Sequence, residues 1–426
     1  MTSHAIKTIH GRRVWDSRGR PTVEAEVTLK DGAKGRAIAP AGASKGTREA
    51  LELRDGGIQY GGLDVLQAVA HINGEIANAL IGSQADNQIA LDQALIALDG
   101  TENKTRLGAN ATLAVSMATA HAMAQASGVP LYRYLGQDTI GRLPMPQIQI
   151  FGGGAHAGRR VDVQDFMVVC PGASSFAQAL EWTAEVYRHA GLLMAQRGSL
   201  FGVADEGGWW PDFSSNEQAL EMLVLSIERA GFIPGEQVAI ALDIAASEFG
   251  KHGQYRLGLE SRALDSDGFI EMLLGWIAKY PIVSIEDPLA EDDPEGFARF
   301  TKAIGDRLQI VGDDFLVSSS KLIREAAKLG AANTVLLKPN QRGTLSETLE
   351  AWKTAKELGY FAIVSARSGE TEDTTIVDLA IGWNVGQLKV GSFARSERMV
   401  KWNHALRIEE ELGSQASFAG ASVFRK

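Results

Sequence analysis

Ile282-Val283-Ser284-Ile285 runs into Glu286 and Asp287, Leu308-Gln309-Ile310-Val311 into Asp313 and Asp314, and Thr334-Val335-Leu336-Leu337 into Lys338. Phe361-Ala362-Ile363-Val364 then reaches Ser365 and Arg367, and Gln387-Leu388 reaches Lys389. Most of these short apolar runs recur at about 25 residues, room for a strand, a turn and a helix. Helical patterns fill the gaps, as over Ser318 to Leu329 and Leu345 to Leu358, where apolar residues return at helical spacing. Strand then helix, repeated, reads as parallel βα units, whose buried strands are continuous apolar runs. Repetition at this length predicts a (β/α) barrel, with an open doubly wound sheet as the alternative. In a barrel the C-terminal strand ends converge, so every polar residue that ends a run faces one cavity. A single such acid reads as a helix N-cap or a solvated charge; several acids and two lysines at one structural position do not.

Further upstream, Val238-Ala239-Ile240-Ala241-Leu242 ends on Asp243 in the same way. With 426 residues and 45% hydrophobic content, the chain is longer than one barrel needs, so two domains are expected. The earlier part has its own character. Thr22 to Leu29 alternates strictly, Val23, Ala25, Val27 and Leu29 against Thr22, Glu24, Glu26 and Thr28, which predicts a half-solvated antiparallel strand. Asp31-Gly32 turns it towards a partner near Gly35 to Ile38. Helical patterns follow over Leu63 to Leu80 and Ala109 to Ala126, the second with Ala111, Ala114, Ala118 and Ala122 on one face for close packing. Gly141, Pro144 and Pro146 close this unit, giving an α+β domain over 1–140 and a barrel over 141–426.

The single cysteine, Cys170, excludes an intrachain disulfide framework and sits in an apolar run as a core thiol. Met1 to Arg13 lacks a secretory apolar core, and no stretch has the length and apolarity of a membrane span. A cytoplasmic protein is expected. A net charge of −10 without a basic, aromatic-interleaved run disfavours nucleic acid and anionic membranes as partners. A small anionic ligand remains open wherever local cations outweigh the global field.

Asp243, Glu286 and Asp313 offer hard oxygen ligands with no thiol or imidazole among them, a set that suits Mg²⁺ and not zinc. Lys338 shares their rim, and burial beside a metal and other cations is expected to lower its pKa until it can act as a base. Glu206, in Ala204-Asp205-Glu206-Gly207-Gly208, is placed on a βα loop where a neutral carboxyl could act as an acid. Base, acid and Mg²⁺ together suggest removal of a proton next to a carboxylate, followed by loss of a β-hydroxyl. Two glycine-rich loops stand near these groups, Ala41-Gly42-Ala43-Ser44-Lys45-Gly46 and Gly152-Gly153-Gly154-Ala155-His156-Ala157-Gly158. Either reads as a plain turn or as backbone closing on a ligand.

Long strings then carry a resemblance: Asp16-Ser17-Arg18-Gly19, Pro21-Thr22-Val23-Glu24-Ala25-Glu26, Asp99-Gly100-Thr101-Glu102-Asn103-Lys104 and Ala245-Ala246-Ser247-Glu248-Phe249. They continue through Ser284-Ile285-Glu286-Asp287, Gly312-Asp313-Asp314, Arg367-Ser368-Gly369-Glu370-Thr371-Glu372-Asp373 and Ala394-Arg395-Ser396-Glu397-Arg398. Over nearly its whole length the chain resembles the enolases, the phosphopyruvate hydratases. Lysine or histidine bases working with Mg²⁺ are the known pattern of that superfamily, so the chemistry just read is not independent of the resemblance.

The resemblance implies an α/β fold: a modified (β/α)8 barrel of enolase type, capped by an N-terminal α+β domain with a three-stranded meander, usually a homodimer or higher homo-oligomer. It implies Lys338 as the base at C2 of 2-phosphoglycerate and Glu206 as the group assisting loss of the C3 hydroxyl, which yields phosphoenolpyruvate. His156 and Asp165 complete the candidate catalytic set. Asp243, Glu286 and Asp313 would hold the first Mg²⁺, and a second would arrive with substrate, helped by Ser44 in the capping loop. Gln164, Arg367, Ser368 and Lys389 match substrate-contacting positions, Arg367 and Ser368 being placed for the phosphate.

The sequence also departs from the family. Ala366 stands where enolases carry histidine, Asp165 where they carry glutamate, and Gly152 where they carry asparagine. Lys45, Arg159, Arg160 and Arg342 add cations near the motifs. Two alternatives follow: an enolase paralogue dehydrating a bulkier, more anionic phosphorylated or phosphonylated glycerate, as carboxyphosphonoenolpyruvate synthase does, or an inactive binding module that kept the fold.

Overall fold

The computed structural model describes residues 4–137 and 141–424, so the expected domain boundary after Ile140 lies outside the described residues. Strands β1 (Ile6–Trp15), β2 (Pro21–Leu29) and β3 (Lys34–Ile38) form an antiparallel meander. The alternation along β2 predicts one wet face, yet Thr22 and Glu24 are buried. Thr22 Oγ1 donates to the Ala39 carbonyl at 2.6 Å, and Glu24 is gripped by Arg12 and Arg36 from the flanking strands. Paired in this way, the two polar groups are stable away from water. The helix Ala109–Ala126 crosses the meander on its alanine face, so closely that a Cβ on Gly35 would lie 2.0 Å from the Ala118 carbonyl oxygen. The helix expected over Leu63 to Leu80 is broken into Leu66–His71, a π turn at Ile72–Ile76, and Ala77–Leu80. The widened turn lets Asn73 bond both backbone groups of Gly11, at 2.8 and 2.9 Å.

The barrel begins with β4 (Met145–Gly152), β5 (Asp165–Val169) and β6 (Ala239–Asp243). A small side sheet follows, β7 (Gly250–Lys251), β8 (Gln254–Leu257) and β9 (Arg262–Asp265). Next come β10 (Ile282–Glu286), β11 (Gln309–Gly312), β12 (Thr334–Leu337), β13 (Phe361–Ser365) and β14 (Gln387–Ser392). Eight of these close in the order β10-β11-β12-β13-β14-β4-β5-β6, which rules out the open sheet. One expectation fails: β5 runs antiparallel to both β4 and β6, while every other neighbouring pair is parallel. Between β4 and β5 there is only a loop with a single 3-10 turn at Gly154–Ala157, and without a crossover helix the chain returns antiparallel. The helices Phe176–Gln196 and Asn216–Arg229 then both precede β6.

This reversal positions a site residue. Because β5 runs backwards, its first residue, Asp165, lies where the other strands finish, in register with Gly152 at the end of β4 and Asp243 at the end of β6. The strand-end acids are also free of capping duty. Helices after β10, β11 and β12 are capped by Asp293, Ser319 and Thr344, each accepting a first-turn backbone N–H. Over this rim lies the meander unit, joined by an Ala41–Gly369 bridge, by Ser17 N–H to the Glu370 carbonyl and by Ala50 N–H to the Gln341 carbonyl.

Candidate active site

Lys338 follows β12 directly, its own N–H donated to Ser318 Oγ at 2.8 Å and its ammonium donated to Asp313. Gln341 Nε2 holds the other Asp313 oxygen at 2.8 Å. Lys389 does not end its strand as expected; it lies within β14, paired with Ser365 and Gln147, and points its ammonium into the barrel mouth. There Nζ donates to Asp243 Oδ2 at 2.8 Å and Glu286 Oε2 at 2.9 Å, with Asp165 Oδ2 at 3.2 Å. Asp243 and Glu286 are in register on adjacent strands, which is why one ammonium reaches both.

A second cluster at the same cavity holds His156, Glu206 and Ser368. His156 Nε2 is 3.1 Å from Ser368 Oγ and 3.8 Å from Glu206 Oε1. Its Nδ1 lies 3.3 Å from Asp165 Oδ1 but out of line for a hydrogen bond, so that nitrogen has no partner. Glu206 is not on a βα loop as expected, but on the connection between the two helices that precede β6. It is brought to the mouth by the Phe151–Trp209 bridge and by its carbonyl accepting from Ser392 N–H at 2.9 Å. Gln164 Nε2 donates to Asp243 Oδ2 at 3.1 Å, while Gln164 Oε1 and Glu286 Oε1 are buried without partners. Buried polar atoms without a hydrogen-bond partner, Gln164 Oε1, Glu286 Oε1 and His156 Nδ1, thus gather in this cluster and call for a ligand.

Burial and the neighbouring Asp243 charge push the Glu286 carboxyl well above the usual range. Burial would do the same to Asp165, but Lys389 and His156 outweigh it and hold that carboxyl below the usual range. For His156, burial favours the neutral ring, yet Glu206 and Asp165 together raise it towards the imidazolium. Lys338 departs from expectation. Burial, first of all, and the charges of Arg367 and Lys389 lower its pKa, but the charges of Asp313 and Glu286 together outweigh them and the net direction is upward. As drawn, Lys338 is a cation.

Lys338, Glu206, Asp243, Lys389, Ala366 and Ser44 all line one cavity of about 20 Å³, which is the size of a water and not of an organic acid. A groove of about 1000 Å³ lies elsewhere, lined among others by Asp86, Tyr132, Arg133, Leu345 and Trp383, and gathers no comparable set of acids and lysines. The sequence of residues 141–426 matches the enolase C-terminal TIM barrel domain, and residues 6–135 match the enolase N-terminal domain. The chain belongs to the enolase family.

Enolases imply magnesium, and the residues present fit it. Asp243, Glu286 and Asp313 are buried carboxylates paired with lysine ammoniums, and Glu286 Oε1 still lacks a hydrogen-bond partner. With Lys389 between the first two and Lys338 on the third, that trio is less tightly gathered than two other groups, His156–Asp165–Glu206 and Asp287–Asp313–Asp314. The ligand atoms of each of those lie within 4.8 Å of one another. Asp287 is a scaffold: its two oxygens accept the backbone N–H groups of Asp313 and Asp314 at 2.8 Å each and so aim the β11 rim.

Where the chain departs from the enolase pattern, the structure separates two kinds of change. Ala366 lines the cavity itself. The four added cations do not. Lys45 pairs with Glu52 at 2.5 Å, Arg159 with Glu248 at 2.8 Å, Arg160 with Asp212 at 2.7 Å and Arg342 with Glu347 at 3.5 Å. Arg367 is buried and held by Glu49, a contact the sequence reading missed, since nothing in a local pattern pairs a loop acid with a residue over 300 positions away. It also missed Arg398, wholly buried on the last long helix, whose Nη1 donates to the carbonyls of Arg367 at 2.6 Å and Val390 at 2.9 Å. Among the described residues no helix is long and apolar enough to cross a membrane.

Proposed function

We propose that the chain is a Mg²⁺-dependent hydro-lyase of the cytoplasm that converts 2-phosphoglycerate to phosphoenolpyruvate. The observation that carries this reading is that Lys338 and Glu206 line one small cavity together with Asp243 and Lys389. Asp243, Glu286 and Asp313 would hold the first metal ion, and Ser44 would serve the second, substrate-borne one. Bound Mg²⁺ offsets the charge that develops on the substrate carboxylate.

Lys338 takes the proton from C2: the C2–H bond breaks and its electrons become the C2–C3 double bond. For that the amine must first be neutral. Asp313 and Glu286 hold it charged, and with both carboxylates committed to a metal, burial, Arg367 and Lys389 would push its pKa down. Glu206 gives a proton to the C3 hydroxyl, so that the C3–O bond breaks with water as the leaving group. His156, set between Glu206, Asp165 and Ser368, orients this side. Arg367 and Ser368 would hold the phosphate, and Lys389 and Gln164 would hold the acid end.

In an absorbance assay for the enol product, 2-phosphoglycerate is expected to be consumed with Mg²⁺ present and left unchanged with a chelator. Equal traces in both conditions would remove the reading. One observation, Ala366 in the cavity wall, favours a bulkier and more anionic glycerate as substrate. The pairing of all four added cations away from the cavity speaks against it, and turnover of 2-phosphoglycerate on the order of 10 s⁻¹ in the same assay would end it. An inactive binding module has less support still, because an idle pocket has no need of buried, closely set acids and lysines.

A further inference from the structure

The side chain of Arg367 offers four terminal N–H hydrogens, and all four are in use. Nη1 donates to Glu49 Oε2 at 3.0 Å and to Asn340 Oδ1 at 2.9 Å. Nη2 donates to the Ser44 carbonyl at 2.8 Å and to Glu49 Oε1 at 3.2 Å. Glu49 therefore meets the guanidinium with both oxygens, fork on fork, in the manner by which arginine also takes a phosphate. Ser44 and Glu49 lie in one segment of the capping unit, which comes in so closely that a Cβ on Gly42 would sit 2.1 Å from Arg367 Nη2. Glu49 Oε1 also accepts from Gly46 N–H at 3.2 Å, so the carboxylate is tied to the loop that carries it. The hollow left beside this arrangement, about 20 Å³, has no room for a phosphorylated three-carbon acid.

We propose that Glu49 is an internal occupant of the anion slot of Arg367. The distal anionic group of the substrate, a phosphate monoester, must displace its carboxylate from the guanidinium to bind. Glu49 thus sets the affinity for that group. The inference rests on the reading above in one respect, that Arg367 is the residue facing the substrate phosphate. A carboxylate that merely neutralised a buried arginine would have the opposite signature, since its removal would loosen Arg367 and weaken anion binding. Arg367 does not depend on Glu49 alone, because Asn340 and the Ser44 carbonyl hold it through neutral acceptors.

The test is a calorimetric titration of the whole chain with inorganic phosphate, for the wild type, Glu49→Gln, and Glu49→Gln combined with Arg367→Gln. Removing the competing charge is expected to tighten phosphate binding about tenfold, the size of one charge-assisted hydrogen bond, and adding Arg367→Gln is expected to abolish the gain. Phosphate binding by Glu49→Gln equal to or weaker than the wild type overturns the proposal, as does a gain that survives Arg367→Gln. Should Glu49→Gln fail to fold, Glu49→Asp carries the same expectation, because it is a methylene too short to keep both bonds of the fork. No turnover is needed. A chain that leaves 2-phosphoglycerate untouched but shows the tightening sinks the proposed reaction and keeps this inference, whereas an active chain without the tightening does the reverse.

Discussion

Lys338→Ala is expected to lower turnover of 2-phosphoglycerate by a factor on the order of 10² to 10⁴, the usual contribution of a general base. The loss should fall on kcat, because Lys338 meets the substrate at the carbon that reacts. The substitution also leaves Asp313 without its ammonium partner, so turnover has to be compared at saturating Mg²⁺. A small primary amine added to the variant is expected to restore part of the rate, since the cavity left at the end of β12 has room for it. A variant within threefold of the wild type would remove Lys338 from the chemistry.

Lys389→Met should act mainly on stability. Its ammonium is the cation shared by Asp243 and Glu286 and lies close to Asp165, all buried. Taking one partner from a buried ion pair leaves charge uncompensated and costs about 3 to 5 kcal/mol. In chelator, denaturant unfolding of the variant is expected to show a loss of that order. Mg²⁺ should then stabilise the variant more than it stabilises the wild type, because the dication binds the same carboxylates that have lost their ammonium. Equal stabilisation of both proteins would mean that Asp243 and Glu286 are not metal ligands.

Much of this site could be read in the chain before any coordinate. Asp243, Glu286, Asp313 and Lys338 each end an apolar run, and a parallel strand always delivers its last residue to the same face of a barrel. Local pattern was enough for them. It was not enough for Asp165, whose position depends on the direction of β5: apolar composition is the same for a strand run either way, and direction follows from the missing crossover helix. Lys389 reads as a strand end, yet β14 continues through Val390, Gly391 and Ser392, where a glycine hides the strand signal. The motif of Glu206 is legible, but its helix-to-helix setting depends on the bridge of Trp209 to Phe151 in β4. Thr22 and Glu24 look solvated from their alternation and are buried by partners from other strands. Each miss comes from pairing across the fold, and each success from a rule that acts within one βα unit.

In the proposed reaction Lys338 removes the C2 proton and Glu206 expels the C3 hydroxyl. Exchange of the C2 hydrogen of 2-phosphoglycerate with D2O, followed by NMR in the presence of Mg²⁺, separates the two jobs. Glu206→Gln is predicted to exchange that hydrogen while forming little phosphoenolpyruvate, and Lys338→Ala to do neither. Exchange that persists in Lys338→Ala and vanishes in Glu206→Gln would contradict the assignment.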